Sequence, residues 1–222
     1  MPDRSTSAVD PLPDRWAAQW NRTLECMGLG MVFIPVGERL FRCYSGPGRH
    51  YHDARHALAG VKALDNYPGS IGNQDTLELA LWFHDAAYSA RATPRESREE
   101  SVELFRHEFQ LLAGDLVDIN EVCSLITATR HHGEPENADA ALVMDIDLLI
   151  LAADRLRYDV HAAEIRREYA HIDDQSFHLQ RAEFLRTFLR RKSIYWTRHF
   201  RKLNEARARA NLERELSRLQ LT

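Results

Sequence analysis

Apolar residues recur along this chain at the three-and-four spacing of one α-helical face, interrupted by Gly, Pro and small polar residues. Trp16, Trp20, Leu24 and Met27 predict a first helix from Asp14, closed by Gly28 to Gly30. A short second helix is expected from Val36 to Tyr44, ended by Ser45-Gly46-Pro47-Gly48. Ala57, Leu58, Val61 and Leu64 mark the core face of a third. Its first turns carry the polar cluster Arg49-His50-Tyr51-His52-Asp53-Ala54-Arg55-His56, and Tyr67-Pro68-Gly69 stops it. Asp75 and Glu78 have capping-box spacing ahead of an apolar helix that includes Leu79 to Asp85. Thr93-Pro94-Arg95-Glu96 has the fuller form of that signal, with Pro94 where its missing N–H does no harm. Val102, Phe105, Phe109 and Leu112 form the next stripe, and Ile119, Val122, Cys123 and Ile126 another, ending at Thr129-Arg130-His131-His132-Gly133.

Asp139 to Asp154 is apolar apart from the embedded Asp145, Asp147 and Asp154. Two more helices are marked by Tyr158, Ile165 and Tyr169, then by Phe177, Phe184, Leu185 and Phe188. An arginine-rich amphipathic helix from Asn204 to Leu221 turns Leu212, Leu216 and Leu219 inward. Met31 to Ile34 is the one β-leaning run. The expected fold is all-α, a single-domain helical bundle over residues 14–222 behind a flexible leader, residues 1–13, that carries three prolines.

Composition narrows this picture without redirecting it. A chain of 222 residues with 44% hydrophobic and 28% charged residues can bury one substantial core. The net charge of −4 leaves no electrostatic footprint for nucleic acid, although arginine is dense in the last quarter. Cys26, Cys43 and Cys123 are odd in number with no close pair, which suits reduced thiols used in packing. Leu148 to Ala153, the longest apolar run, is too short to span a bilayer, and Met1 to Asp10 has no apolar signal segment, so the expected location is the cytoplasm.

Chemistry concentrates at His84-Asp85, which follows Leu79-Ala80-Leu81-Trp82-Phe83. An imidazole and a carboxylate buried in so apolar a stretch need compensation, and a metal ion compensates both. A second doublet, His52-Asp53, lies in a more polar setting. The 28 residues between His56 and His84 allow antiparallel helices to bring the two side chains together. Adjacent helical residues point about 100° apart, so His84 and Asp85 share an ion only at the helix flank. Asp147 would close the site from a third helix, though spacing leaves Asp145 as an alternative, since at most one of the two coordinates directly. Two imidazoles and two carboxylates suit Mn, Fe, Co, Ni or Zn better than an ion that prefers oxygen alone, such as Mg, and leave positions for water and a phosphate oxygen.

His56, the His84-Asp85 doublet and a later aspartate resemble the HD superfamily of metal-dependent phosphohydrolases, and in particular its bacterial subgroup of predicted HD-superfamily phosphohydrolases. The segments that carry the resemblance are Arg49-His50-Tyr51-His52 through His56, Leu81-Trp82-Phe83-His84-Asp85-Ala86-Ala87-Tyr88, Glu99-Glu100-Ser101, Met144-Asp145-Ile146-Asp147-Leu148, Ile165-Arg166-Arg167-Glu168-Tyr169 and Ala208-Arg209-Ala210-Asn211-Leu212. Each is weak alone; in this order they are specific and span most of the chain. The resemblance implies an HD-type helical fold, one divalent metal ion on His56, His84, Asp85 and Asp147, and hydrolysis of a small phosphorylated substrate, a nucleotide being one candidate. Within it Asp147 matches the final motif aspartate better than Asp145. It also suggests that His131-His132 serves a second metal or the substrate phosphate, the alternative being a solvated loop pair, and that Glu99 falls near an acidic position, where it either positions water or faces solvent.

Arg49, Arg55 and Arg130 are candidates to neutralise phosphate. Asp85, through an uncoordinated oxygen, or His52 is the candidate proton acceptor. Two other readings compete: a metal-stabilised ligand-binding or sensor module without turnover, and a di-iron oxygenase that would recruit His131 or His132. The terminal helix, if not packed on the body or solvated, would serve a homo-oligomer.

Overall fold

The structure, a computed structural model, describes residues 11–110, 116–129 and 133–219. Among them there is no strand; ten helices carry the fold. In chain order they are α1 (Leu12–Cys26), α2 (Ile34–Tyr44), α3 (Ala54–Asp65), α4 (Gln74–Phe83), α5 (Pro94–Phe109), α6 (Ile119–Ala128), α7 (Ala138–Asp147), α8 (Arg155–Glu168), α9 (Asp174–Leu189) and α10 (Arg198–Leu219), with short 3-10 turns at Met31–Phe33 and Leu148–Ala152. The apolar stripes are the faces that meet: one continuous core takes side chains from all ten helices. A smaller cluster of Tyr51, Ile165 and Phe177 lies beside it.

α4 is the hub. Thr76 to Phe83 are all buried, and the helix packs against α1, α3, α5, α6 and α7. A helix apolar on every side belongs inside a bundle, not on its surface. Its polar members are bought off locally: Glu78 accepts from Thr23 Oγ1 and, at 3.0 Å, from Arg22, while Trp82 Nε1 donates to Thr23 Oγ1 at 3.0 Å. α1 and α2 meet closely at Gly37, whose carbonyl takes the Trp16 indole N–H at 2.8 Å. A Cβ added there would lie 2.3 Å from Trp20 Cδ1.

Several expected boundaries shift, each for a local reason. Leu12 and Pro13, assigned to the leader, form the first turn of α1, where proline's fixed φ is already helical. Residues 1–10 lie outside the described residues. Met31 to Ile34 is a 3-10 turn running into α2, because Phe33 and Val36 bury on helical spacing. The polar cluster is split by the start of α3: Arg49 to Asp53 precede the helix, Asp53 capping it by accepting from Arg55 N, and only Ala54, Arg55 and His56 lie in its first turn. α4 is capped by Asn73, not Asp75, and Glu78 faces the core. The Thr93–Glu96 capping box on α5 is present in full. α10 starts before Asn204, at Arg198. No described helix is long and apolar enough to cross a membrane.

Candidate metal centre and adjoining cleft

Three segments deliver four side chains to one point. His56 sits in the first turn of α3, held by the Asp53 cap, whose carbonyl accepts from His56 N at 3.0 Å. His84 and Asp85 lie on the turn just past the end of α4, not within it. Tyr44 secures that turn by donating its hydroxyl to Trp82 O at 3.0 Å. Asp147 is the last residue of α7. Because α3, α4 and α7 pack on one another, their ends converge. One donor atom from each of the four lies within 4.8 Å of all the others. The two Nε2 atoms stand 2.9 Å apart; Asp85 Oδ2 is 3.1 Å from His84 Nε2 and 3.4 Å from His56 Nε2; Asp147 Oδ1 is 3.2 Å from His56 Nε2 and 3.5 Å from His84 Nε2.

The surroundings decide what these atoms can hold. His84 Nδ1–H donates to Leu81 O at 2.9 Å, so in the neutral ring the Nε2 lone pair faces inward. Asp85 Oδ1 is taken by Arg98, whose Nε donates to Thr129 Oγ1 at 2.9 Å. Asp85 Oδ2, wholly buried, has no hydrogen-bond donor. Burial pushes the Asp85 carboxyl up, but Arg98 and His84 more than reverse this and hold it well below the usual carboxylate range. Burial pushes His84 down, yet Asp85 and Asp147 raise it to about 10, and His56 is raised for the same reason. The carboxylates therefore demand positive charge at the centre. A buried acceptor without a donor, facing two ring nitrogens, fits a divalent cation with mixed N and O ligands. The four residues fit such an ion.

Asp147 also lines a cleft of about 470 Å³ between α8, α9 and the segment following the doublet. His52 is on its wall, stacked on Tyr88 at 4.0 Å between centroids. His52 Nδ1–H donates to Glu168 Oε2 at 2.7 Å, while Glu168 Oε1 accepts the backbone N–H groups of His50, Tyr51 and His52 at 2.9, 2.8 and 2.9 Å. Burial alone would raise the Glu168 carboxyl; the His52 bond and those N–H groups bring it down to about 2.

The remaining expected residues divide. Asp145 is not at the centre: it accepts from Trp196 N, Thr197 N and Thr197 Oγ1 at 2.8, 2.7 and 2.7 Å, pinning the start of α10. Asp154 caps α8. Glu99 points outward and pairs with Arg95 at 2.7 Å; one residue along the same helix, Arg98 turns inward to Asp85. Arg49 does not line this cleft; its guanidinium donates to the carbonyls of His52, Asp85 and Ala86 at 2.8, 2.7 and 2.6 Å. Arg55 pairs with Asp53 and borders a second cavity of about 430 Å³, which His56 and Asp147 also line. Arg130, His131 and His132 lie outside the described residues. Sequence reasoning assigned no role to Arg98, Glu168 or His161. Glu168 had a signal, a carboxylate three residues after the buried Ile165 and so on the inward face of α8. Arg98 had one only as the neighbour of Glu99. The chain matches no protein-family model, no curated protein and no solved structure.

Proposed function

We propose that this chain is a metal-dependent phosphohydrolase of the HD type, transferring the phosphoryl group of a phosphomonoester to water. The observation that carries the reading is the donorless Asp85 Oδ2 set among His56, His84 and Asp147, at the edge of a cleft large enough for an organic substrate. His56, His84, Asp85 and Asp147 would hold a divalent cation, which when bound lowers the pKa of water and polarises a phosphoryl oxygen.

The protein's own groups supply the rest. Arg98 keeps Asp85 ionised and occupies its Oδ1, the oxygen that was one of the two candidate proton acceptors. That role passes to His52, on the cleft wall with Nδ1 committed to Glu168 and Nε2 as the nitrogen for proton exchange. Glu168 fixes the ring's tautomer and direction as a positioning residue. Arg49 ties the backbone of His52 to that of Asp85 and Ala86, setting the distance between His52 and the centre.

The test is to load the full chain separately with Mn, Co, Ni, Fe, Zn or Mg and screen phosphate release from a panel of phosphomonoesters, with metal analysis of the same samples. One ion per chain with turnover supports the reading. No release with any metal overturns it, as does a chain holding two irons with a visible absorption band.

A further inference from the structure

The cleft beside Asp147 has a wall that says more about the substrate than the centre does. Its inner surface comes from Leu148, Ile150 and Leu151 of the 3-10 turn and from Ile165, Phe177 and Phe184 of α8 and α9. At about 470 Å³ it holds far more than a phosphate and its waters, each of which takes roughly 30 Å³. Its size and apolar character are those of a site for a small organic molecule.

The charged groups on this wall are already matched within the protein. Arg98 is held by Asp85 and Thr129, and Arg181 by Glu215 through bonds of 2.8 and 3.1 Å. His52 is held by Glu168. Thus no unmatched cation faces the cleft among the described residues, and a second or third phosphate would enter without a counter-charge. Two polar atoms are left over on this wall, His161 Nδ1 and the Tyr88 hydroxyl, both buried with no hydrogen-bond partner, the His161 ring being 3% exposed. Burial and the neighbouring Arg181 hold this imidazole well below its usual pKa, so it is neutral. A flat apolar group with two polar substituents would satisfy both atoms against an otherwise apolar inner wall, whereas each further hydroxyl of a sugar would need a partner of its own.

Resting on the phosphohydrolase reading, we infer that the substrate is the monophosphate of an alcohol whose uncharged aromatic body is joined directly and not through a sugar, and which lies in the cleft between α8 and α9 while its single phosphate meets the metal centre. The discriminating experiment compares 2-naphthylmethyl phosphate, glycerol 3-phosphate, AMP and ATP on the metal-loaded full chain. The first three release a primary alcohol, so leaving-group chemistry is nearly constant and the comparison reads the cleft. The expected result is a kcat/KM for 2-naphthylmethyl phosphate at least about tenfold above each of the others, as burial of a ring predicts. Phe184→Ser, at a side chain 40% exposed at the cleft and therefore safe for folding, should reduce that preference over glycerol 3-phosphate about tenfold. A preference for ATP or glycerol 3-phosphate, AMP equal to the naphthyl ester, or a preference unmoved by Phe184→Ser overturns the inference. Binding of (2-naphthylmethyl)phosphonate, measured by calorimetry, separates the two ideas. If it binds at least tenfold tighter than methylphosphonate while no ester is cleaved, the cleft assignment stands and the hydrolase reading falls. If it binds no tighter, the cleft assignment falls whatever the activity.

Discussion

Asp145 and Asp147 stand two residues apart and do unrelated work, and paired substitutions should expose this. Asp147→Asn is expected to lower metal content from one ion per chain to near zero and turnover at least about a hundredfold, with the fold intact by circular dichroism. Asp145→Asn should keep the metal and lose about 1–3 kcal/mol of stability in denaturant titration, because a buried acceptor of three bonds is disturbed. Glu168→Gln should reduce kcat about tenfold or more with little change in KM or metal content, since only the hold on His52 is weakened. A variant that lost its metal would refute the positioning role. At this scale the sequence was legible where a polar residue had no apolar excuse for burial, as at His84-Asp85. It was illegible where the partner was remote: nothing in the spacing says that Arg98, not Glu99, turns inward, or that Glu168 reaches back across more than a hundred residues to His52.

Single elements respond to narrower forces. Gly37→Ala is expected to cost about 1–3 kcal/mol in chemical denaturation, because the new methyl meets the Trp20 indole inside the α1–α2 contact. Thr93→Ala, which removes half of the capping box on α5, should cost about 1 kcal/mol by the same measurement. Periodicity located helices such as α1 and α6 because each buries one face, so polar residues mark the other. It placed the end of α4 poorly for the opposite reason. A helix buried all round offers no polar side, and the turn that carries His84 and Asp85 is itself buried, so no hydrophilic break announces it. Capping was legible at Thr93, where both partners are exposed, and misread at Asp75, where Glu78 is taken by the core.

For the whole molecule, the centre joins α3, α4 and α7, so occupancy and stability should be linked. Chelation of a metal held at a hundredfold excess over its Kd is expected to remove about 3 kcal/mol, or about 5–10 °C in Tm for a chain of this size by calorimetry. Acid should act separately through Glu168. Its carboxyl falls from an ordinary 4.5 to about 2 on folding. The resulting stability, about 3 kcal/mol, is fully present above pH 4.5 and is lost as pH falls towards 2. Glu168→Gln should therefore flatten the acid limb of a stability–pH curve; an unchanged limb would show that other carboxylates govern it. The all-helical class was legible from the sequence because periodicity is local. Which helices meet was not, since many pairings bury equal area and only the assembled core selects among them.

Asp147 lies between two anchors that belong to the end of the chain. Just before it, Asp145 grips Trp196 and Thr197; just after it, the 3-10 turn gives the Leu151 carbonyl to Asn211 of α10 at 2.9 Å. During synthesis His56, His84 and Asp85 leave the ribosome long before the clasp that sets the fourth ligand. If the cluster holds an ion as proposed, metal capture would be among the last events of maturation, and a nascent or proteolytically clipped chain lacking α10 would carry an incomplete, weakly binding cup. The final helix would then act as the latch of the centre without supplying a ligand to it.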